Sequence, residues 1–79
     1  MVNGTLICAA QVRAARAWLN WTQDELAERS GISQKSIARL ELERSVPYAS
    51  TLVKLRQTFE AAGVQFQFDG MIGKGICLA

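Results

Sequence analysis

Apolar positions recur along this chain at two different intervals, and the change of interval divides it. Up to residue 62 they fall three and four apart, the period of a helix with one buried side. Over residues 8–19, Val12, Ala15 and Leu19 share a face while Arg13 and Arg16 point elsewhere, and the stretch is rich in strong helix formers. Asn20 is a left-handed stop for this first helix. Thr22 and Glu25 then form a capping box, with Asp24 and Glu25 placing two acids in the first turn of a helix over 23–30. Gly31 ends it. Ser33 caps a third helix over 34–42, whose inner side is Ile37 and Leu40. Residues 43–47 read as a loop, in which Pro47 restricts Val46 to an extended backbone. A fourth helix over 49–62 carries the stripe Leu52, Leu55, Phe59 and stops at Gly63. Beyond Gly63 the interval drops to two. Val64, Phe66 and Phe68 alternate with glutamines as a strand over 64–68, residues 69–75 read as a loop, and a second short strand returns over 75–78. The expected fold class is mainly α: four helices followed by a C-terminal β-hairpin, in one domain spanning 1–79.

Composition narrows what such a fold can do. A chain of 79 residues buries too little surface to be strongly stable alone, which favours a dimer or another support. Apolar residues at 49% and charged residues at 20% are a globular balance. No apolar run approaches the ~20 residues of a membrane span. The first six residues carry no basic leader ahead of an apolar stretch, so the expectation is a cytoplasmic protein whose Cys8 and Cys77 are reduced thiols. The chain has no histidine, and with two cysteines it offers neither histidine catalysis nor the usual four-ligand zinc pattern. Gly70, Gly73 and Gly75 sit at the hairpin turn rather than ahead of a helix, where a phosphate-binding loop would lie. The chain is therefore expected to be no enzyme and to need no cofactor and no metal. Its net charge of +2 tolerates a polyanion partner without demanding one.

The informative segment is 22–41. Two short helices are joined by Gly31-Ile32-Ser33 alone, a corner that needs a small residue at the crossing and a glycine able to take positive φ. Ala27 and Gly31 supply them, and Leu26, Ile32, Ile37 and Leu40 seal the pair inward. That conjunction is a helix-turn-helix signal; the competing explanation is a plain corner between two helices. With Ile37 and Leu40 inward, Gln34, Lys35, Ala38 and Arg39 face outward, flanked by Ser36. Gln, Arg and Lys are the side chains that read adenine and guanine edges in the major groove, and Ala38 is small enough to permit close approach.

The string WTQDELAERSGISQKSIARLE resembles the helix-turn-helix of the phage repressor/Cro-type (xenobiotic-response-element) family of bacterial regulators. VRAARAWLNWTQ resembles that family's first helix and its approach to the motif, and EAAGVQF resembles the exit of its short members. The resemblance implies a four-helix repressor-like DNA-binding domain, usually dimeric, acting in transcription regulation. Carried over residue by residue, it implies that Gln23 touches the DNA backbone or an outer base. Thr22 and Ser33 would reach phosphates while capping their helices. Gln34, Lys35 and Arg39 would read bases with Ser36 beside them, and Arg44 would meet a phosphate. It also implies an internal pair between Arg16 and Glu41. Three positions depart from the family pattern: Asn20 and Glu43 stand where many members have glycine, and Tyr48 follows Pro47 where many have serine.

Trp18 and Trp21 are expected in or beside the core. Tyr48 could either donate to a phosphate or pack. The tail is rich in apolar groups for a two-stranded hairpin (Phe66, Phe68, Met71, Ile72, Ile76 and Leu78), so it either completes this chain's own core or builds a homodimer. The functional expectation is a sequence-specific regulator of double-stranded DNA that inserts the helix over 34–42 in the major groove. The alternative is a protein-interaction module, such as an antitoxin bound to its toxin or an adaptor, acting chiefly through the hairpin.

Overall fold

A computed structural model describes residues 6–44, 47–69 and 72–78. The element order is α1 (Ala9–Leu19), α2 (Gln23–Ser30), α3 (Gln34–Glu41), α4 (Ala49–Ala61), β1 (Val64–Asp69) and β2 (Ile72–Leu78). The fold is mainly α, four helices followed by an antiparallel hairpin, as the change of period predicts.

Each boundary has a local cause. Cys8 is the cap of α1 rather than its first residue; its amide donates to Oε1 of Gln11 at 3.0 Å. At the other end Asn20 takes φ 59, with its own N–H on Ala17 O and that of Trp21 on Arg16 O. These two bonds are the paired closure that a left-handed residue permits. α2 begins with the reciprocal Thr22–Glu25 box and ends at Gly31, φ 78, where a Cβ would be strained. α3 stops at Glu41 and α4 at Ala61, one residue short of expectation in each case, because Leu42 and Ala62 serve as caps.

The larger correction is in the hairpin. β1 runs to Asp69 and β2 starts at Ile72 rather than at residue 75. Gln67 pairs with Gly75 and Phe68 with Gly73, so Lys74 is the extra residue of a bulge. Glycines that read as loop residues instead flank an irregularity inside a strand, where they are tolerated. Val46 and Met71, and the side chains of Phe68, Ile72, Ile76, Cys77 and Leu78, lie outside the described residues, so neither the restriction on Val46 nor the apolar face of the tail is described.

The core takes Val12 and Ala15 from α1, Leu26 from α2, Ile37 and Leu40 from α3, and Leu55 and Phe59 from α4. Val64 and Phe66 of β1 close it while Gln65 between them stays exposed. β1 packs on α4 and β2 on α1. Trp21 stacks on Phe59 with ring centres 5.8 Å apart, and Phe59 meets Phe66 edge-on at 5.9 Å, so one aromatic file joins the α1–α2 corner, α4 and β1. Trp18, expected in or beside the core, is 62% exposed: it lies at the edge of the buried stripe of α1 rather than within it. Tyr48 is exposed too, which removes its packing role.

A polar cluster lies against this core. Glu41, the last residue of α3, is 5% exposed, and Arg16 of α1 forks onto it, Nε to Oε2 at 2.8 Å and a terminal nitrogen to Oε1 at 2.9 Å. Arg16 also donates to the carbonyl of Trp21 at 3.0 Å, and Arg13 donates to the carbonyl of Glu41. Two arginines of α1 thus fasten the end of α3 and the start of the α2 approach. Burial pushes the Glu41 carboxyl up, but the hydrogen bonds from Arg16 and Gln23, with the charges of Arg16 and Arg13, outweigh it and hold the group below its ordinary value. The bond to Glu41 raises Arg16 in turn.

Two outcomes follow from these contacts. Removing one partner of a fully buried pair costs about 3–5 kcal/mol. Arg16 is a quarter exposed, so solvent screening lowers the expected loss in Glu41→Gln to about 2 kcal/mol at pH 7. A depressed carboxyl contributes stability above the unfolded pKa of about 4.3 and loses it as pH falls through the lower folded value. Chemical denaturation between pH 7 and pH 2 should therefore show a shallower acid loss in Glu41→Gln than in wild type; identical slopes would mean the pair contributes nothing. Separately, Glu43 holds φ 57, and the N–H groups of Glu43 and Arg44 close on Leu40 O and Arg39 O. A left-handed non-glycine residue stores about 1–2 kcal/mol of strain, and the freer unfolded chain of a glycine variant takes back roughly half. Glu43→Gly should then raise the melting temperature by about 2–8 °C. An unchanged or lower value in thermal circular dichroism would refute the strain.

Candidate nucleic-acid interface

α2 and α3 meet across Gly31-Ile32-Ser33, with Gly31 N–H on Ala27 O at 2.9 Å and Ile32 N–H on the Ser30 hydroxyl at 3.1 Å. Leu26 and Ile37 are fully buried at the crossing, Leu40 nearly so, and Ala27 and Ile32 are half-buried. The inner side of α3 is Ile37, Leu40 and Glu41; its outer side presents Gln34, Lys35, Ser36 and Arg39 to solvent, with Ala38 half-buried among them. Lys35 and Arg39, four apart, lie on one helix face, with exposed Gln34 at the start of the helix beside them. An eight-residue helix is about 12 Å long, comparable to the width of the major groove.

The remaining expected residues frame that face. Thr22 is exposed at the start of α2, its hydroxyl accepting from Glu25 N at 3.0 Å. Ser33 is exposed at the start of α3; its hydroxyl accepts from Ser36 N at 3.2 Å and donates to the Ser36 hydroxyl at 2.8 Å. Arg44 is exposed just past α3, and its bond to Arg39 O folds it back against the helix end. Gln23 differs from expectation in one respect. It is half-buried and engaged internally, donating from Nε2 to Oε1 of Glu41 at 2.9 Å and accepting from Nε2 of Gln34 at 2.7 Å.

Electrostatically the face is favourable to a polyanion. Lys35, Arg39 and Arg44 have no acidic partner within salt-bridge distance among the described residues. The acid on α3 itself is turned inward and neutralised by Arg16, so it does not repel a phosphate. Glu43 is the exposed acid beside Arg44.

Sequence spacing alone could not have found three of these contacts. Gln23 and Glu41 are 18 residues apart, Gln34 and Gln23 are 11, and Arg13 and Glu41 are 28. Each contact exists only once the helices that carry its partners have packed. Arg29, whose guanidinium sits 4.5 Å from the centre of the Trp21 ring, is of the same kind.

Among the described residues no helix is long and apolar enough to cross a membrane. Comparison with curated proteins finds no match. The family model described as a helix-turn-helix domain matches residues 9–61, about two thirds of the chain, from the first turn of α1 to the last residue of α4. The match takes in the whole frame that holds α3 outward, and on it the chain belongs to the helix-turn-helix domain family.

Proposed function

We propose that this protein is a sequence-specific double-stranded DNA-binding transcriptional regulator of the phage repressor/Cro type, working in the cytoplasm as a dimer. One observation carries the reading: Gln34, Lys35 and Arg39 are exposed together on α3 while Ile37, Leu40 and Glu41 of the same helix are buried. In this reading α3 enters the major groove. Gln34, Lys35 and Arg39 read base edges with Ser36 beside them. Thr22, Ser33 and Arg44 contact phosphates, aided by the N–H groups at the starts of α2 and α3. Gln23 acts from behind Gln34. The exposed Tyr48 hydroxyl, at the start of α4, is free to join the phosphate contacts. No enzymatic step, metal or cofactor is part of the account.

Dimerisation is supported by the hairpin, whose two strands pair only with each other among the described residues. A two-fold dimer would read half-sites about 34 Å apart. Sedimentation at micromolar concentration should return twice the chain mass; a monomer would remove this part of the reading. A monomer that copurifies in fixed ratio with another protein would favour the interaction-module alternative, an antitoxin or adaptor.

The DNA reading makes two further demands. Affinity for duplex DNA should fall steeply between 50 and 200 mM salt, because phosphate contacts release counterions. Arg39→Ala should lose about 1–3 kcal/mol of discrimination at one base pair while leaving other positions unchanged. Binding selections from a random duplex pool check both; equal binding of wild type and Arg39→Ala to every sequence would reject the role of Arg39.

A further inference from the structure

We infer that the cleft between the last turn of α2 and the second half of α4 binds a small organic acid, a single carboxylate carried on a compact apolar body. None of the residues that line it belongs to α3, so the inference does not rest on where DNA lies.

The cleft holds about 540 Å³, within the range of small-molecule sites. Trp21, half-buried at the α1–α2 corner, and Ala61 and Ala62 at the end of α4 give it an apolar part. Arg29 and Lys54 give it a charged part, one from each helix, and both are exposed. Neither has a carboxylate within salt-bridge distance among the described residues. No acidic side chain is among those that line the cleft, and Glu60, next to Ala61 in the chain, is already paired with Arg56 at 2.9 Å.

Arg29 is held in place before any ligand arrives. Its guanidinium sits 4.5 Å from the centre of the Trp21 ring, and Trp21 is itself fixed by stacking on Phe59 at 5.8 Å. Attraction to the ring face spends none of the N–H donors, so the fork that matches a carboxylate stays available and ordered. Ordering in advance lowers the entropic cost of binding. The two hydroxyls of the cleft are unequal. Ser30 accepts from Ile32 N–H at 3.1 Å and keeps its own hydrogen to donate, whereas Thr58 gives its hydrogen to Lys54 O at 2.9 Å and can only accept. Arg29, Lys54 and Ser30 are therefore the donors an anion would meet.

Charge decides the class of anion. Ser30 and Ala61 end α2 and α4, and a helix C-terminus carries roughly half a negative charge. The two ends together offset about one of the positive charges of Arg29 and Lys54, leaving about one. A monocarboxylate matches that remainder. A doubly charged phosphate exceeds it, and brings no apolar surface to set against Trp21, Ala61 and Ala62.

The test is an NMR titration of the isotope-labelled full chain at constant ionic strength, with benzoate, pentanoate, benzyl alcohol and inorganic phosphate added separately. At least one of the two carboxylates should shift the Trp21 indole N–H and the Arg29 Nε–H saturably, with a dissociation constant of about 1 mM or tighter. Benzyl alcohol has the body without the charge and phosphate the charge without the body, so at the same concentrations both should leave these resonances in place. Read at Trp21, Arg29→Gln should weaken carboxylate binding about ten-fold or more, and Lys54→Gln about three-fold. Both substitutions replace exposed side chains, and circular dichroism checks that each variant is folded. The absence of a saturable shift with either carboxylate would overturn the inference. So would an equal response to benzyl alcohol or to phosphate, or unchanged affinity in both variants. Each of these results would leave the assignment of α3 to DNA standing.

Discussion

A carboxylate buried at the end of a helix must be matched, and in this chain the matching of Glu41 organises what surrounds it. Arg16 supplies the opposite charge from α1, Arg13 holds the adjoining carbonyl, and Gln23 brings in the start of α2. Three of the four helices are tied at one point. An apolar core would have stabilised the same packing without leaving a charge to neutralise. The ion pair lies on the same inner side of α3 as Ile37 and Leu40, so the polar and the apolar contacts leave the same side chains facing outward.

Around that point the remaining interactions are ordinary and cumulative. The aromatic file from Trp21 through Phe59 to Phe66 fixes the corner, α4 and the hairpin to one another. Two left-handed residues, Asn20 and Gly31, turn the chain at either end of α2, and each closes the preceding helix with its own N–H. Glu43 does the same work after α3 without the conformational freedom of glycine. Its N–H still closes on Leu40 O and the next N–H on Arg39 O, so the end of α3 is satisfied despite the strained residue.

The parts legible in the sequence were those governed by local rules. Helical periodicity placed Val12, Ala15, Ile37, Leu40, Leu52 and Phe59 inward, and all six are buried. Cap chemistry located Thr22 and Ser33, and the demand for positive φ located Gly31. The outward face of α3 followed from the inward one. What stayed hidden was either ambiguous locally or non-local. Glycines at 73 and 75 serve equally in a turn or at a bulge, and the register that decides between them comes from pairing with β1. Trp18 sits one residue from Leu19, close enough to the inner stripe to be taken for part of it, yet a step of about 100° along a helix turns it to solvent. The resemblance to repressor-type domains supplied the pairing of Arg16 with Glu41, but nothing local in the chain indicated that Gln23 would bridge to Gln34.

The central claim is that the outer face of α3, with the caps of α2 and α3, is where duplex DNA lies. Titrating isotope-labelled protein with a selected duplex at low salt and following backbone and side-chain amide resonances tests it directly. The account predicts that the largest shifts fall on Thr22, Gln23, Ser33, Gln34, Lys35, Ser36, Arg39 and Arg44, with α4 beyond its first turn and the hairpin little changed by direct contact. Shifts concentrated on the hairpin or along α4, with α3 silent, would contradict it.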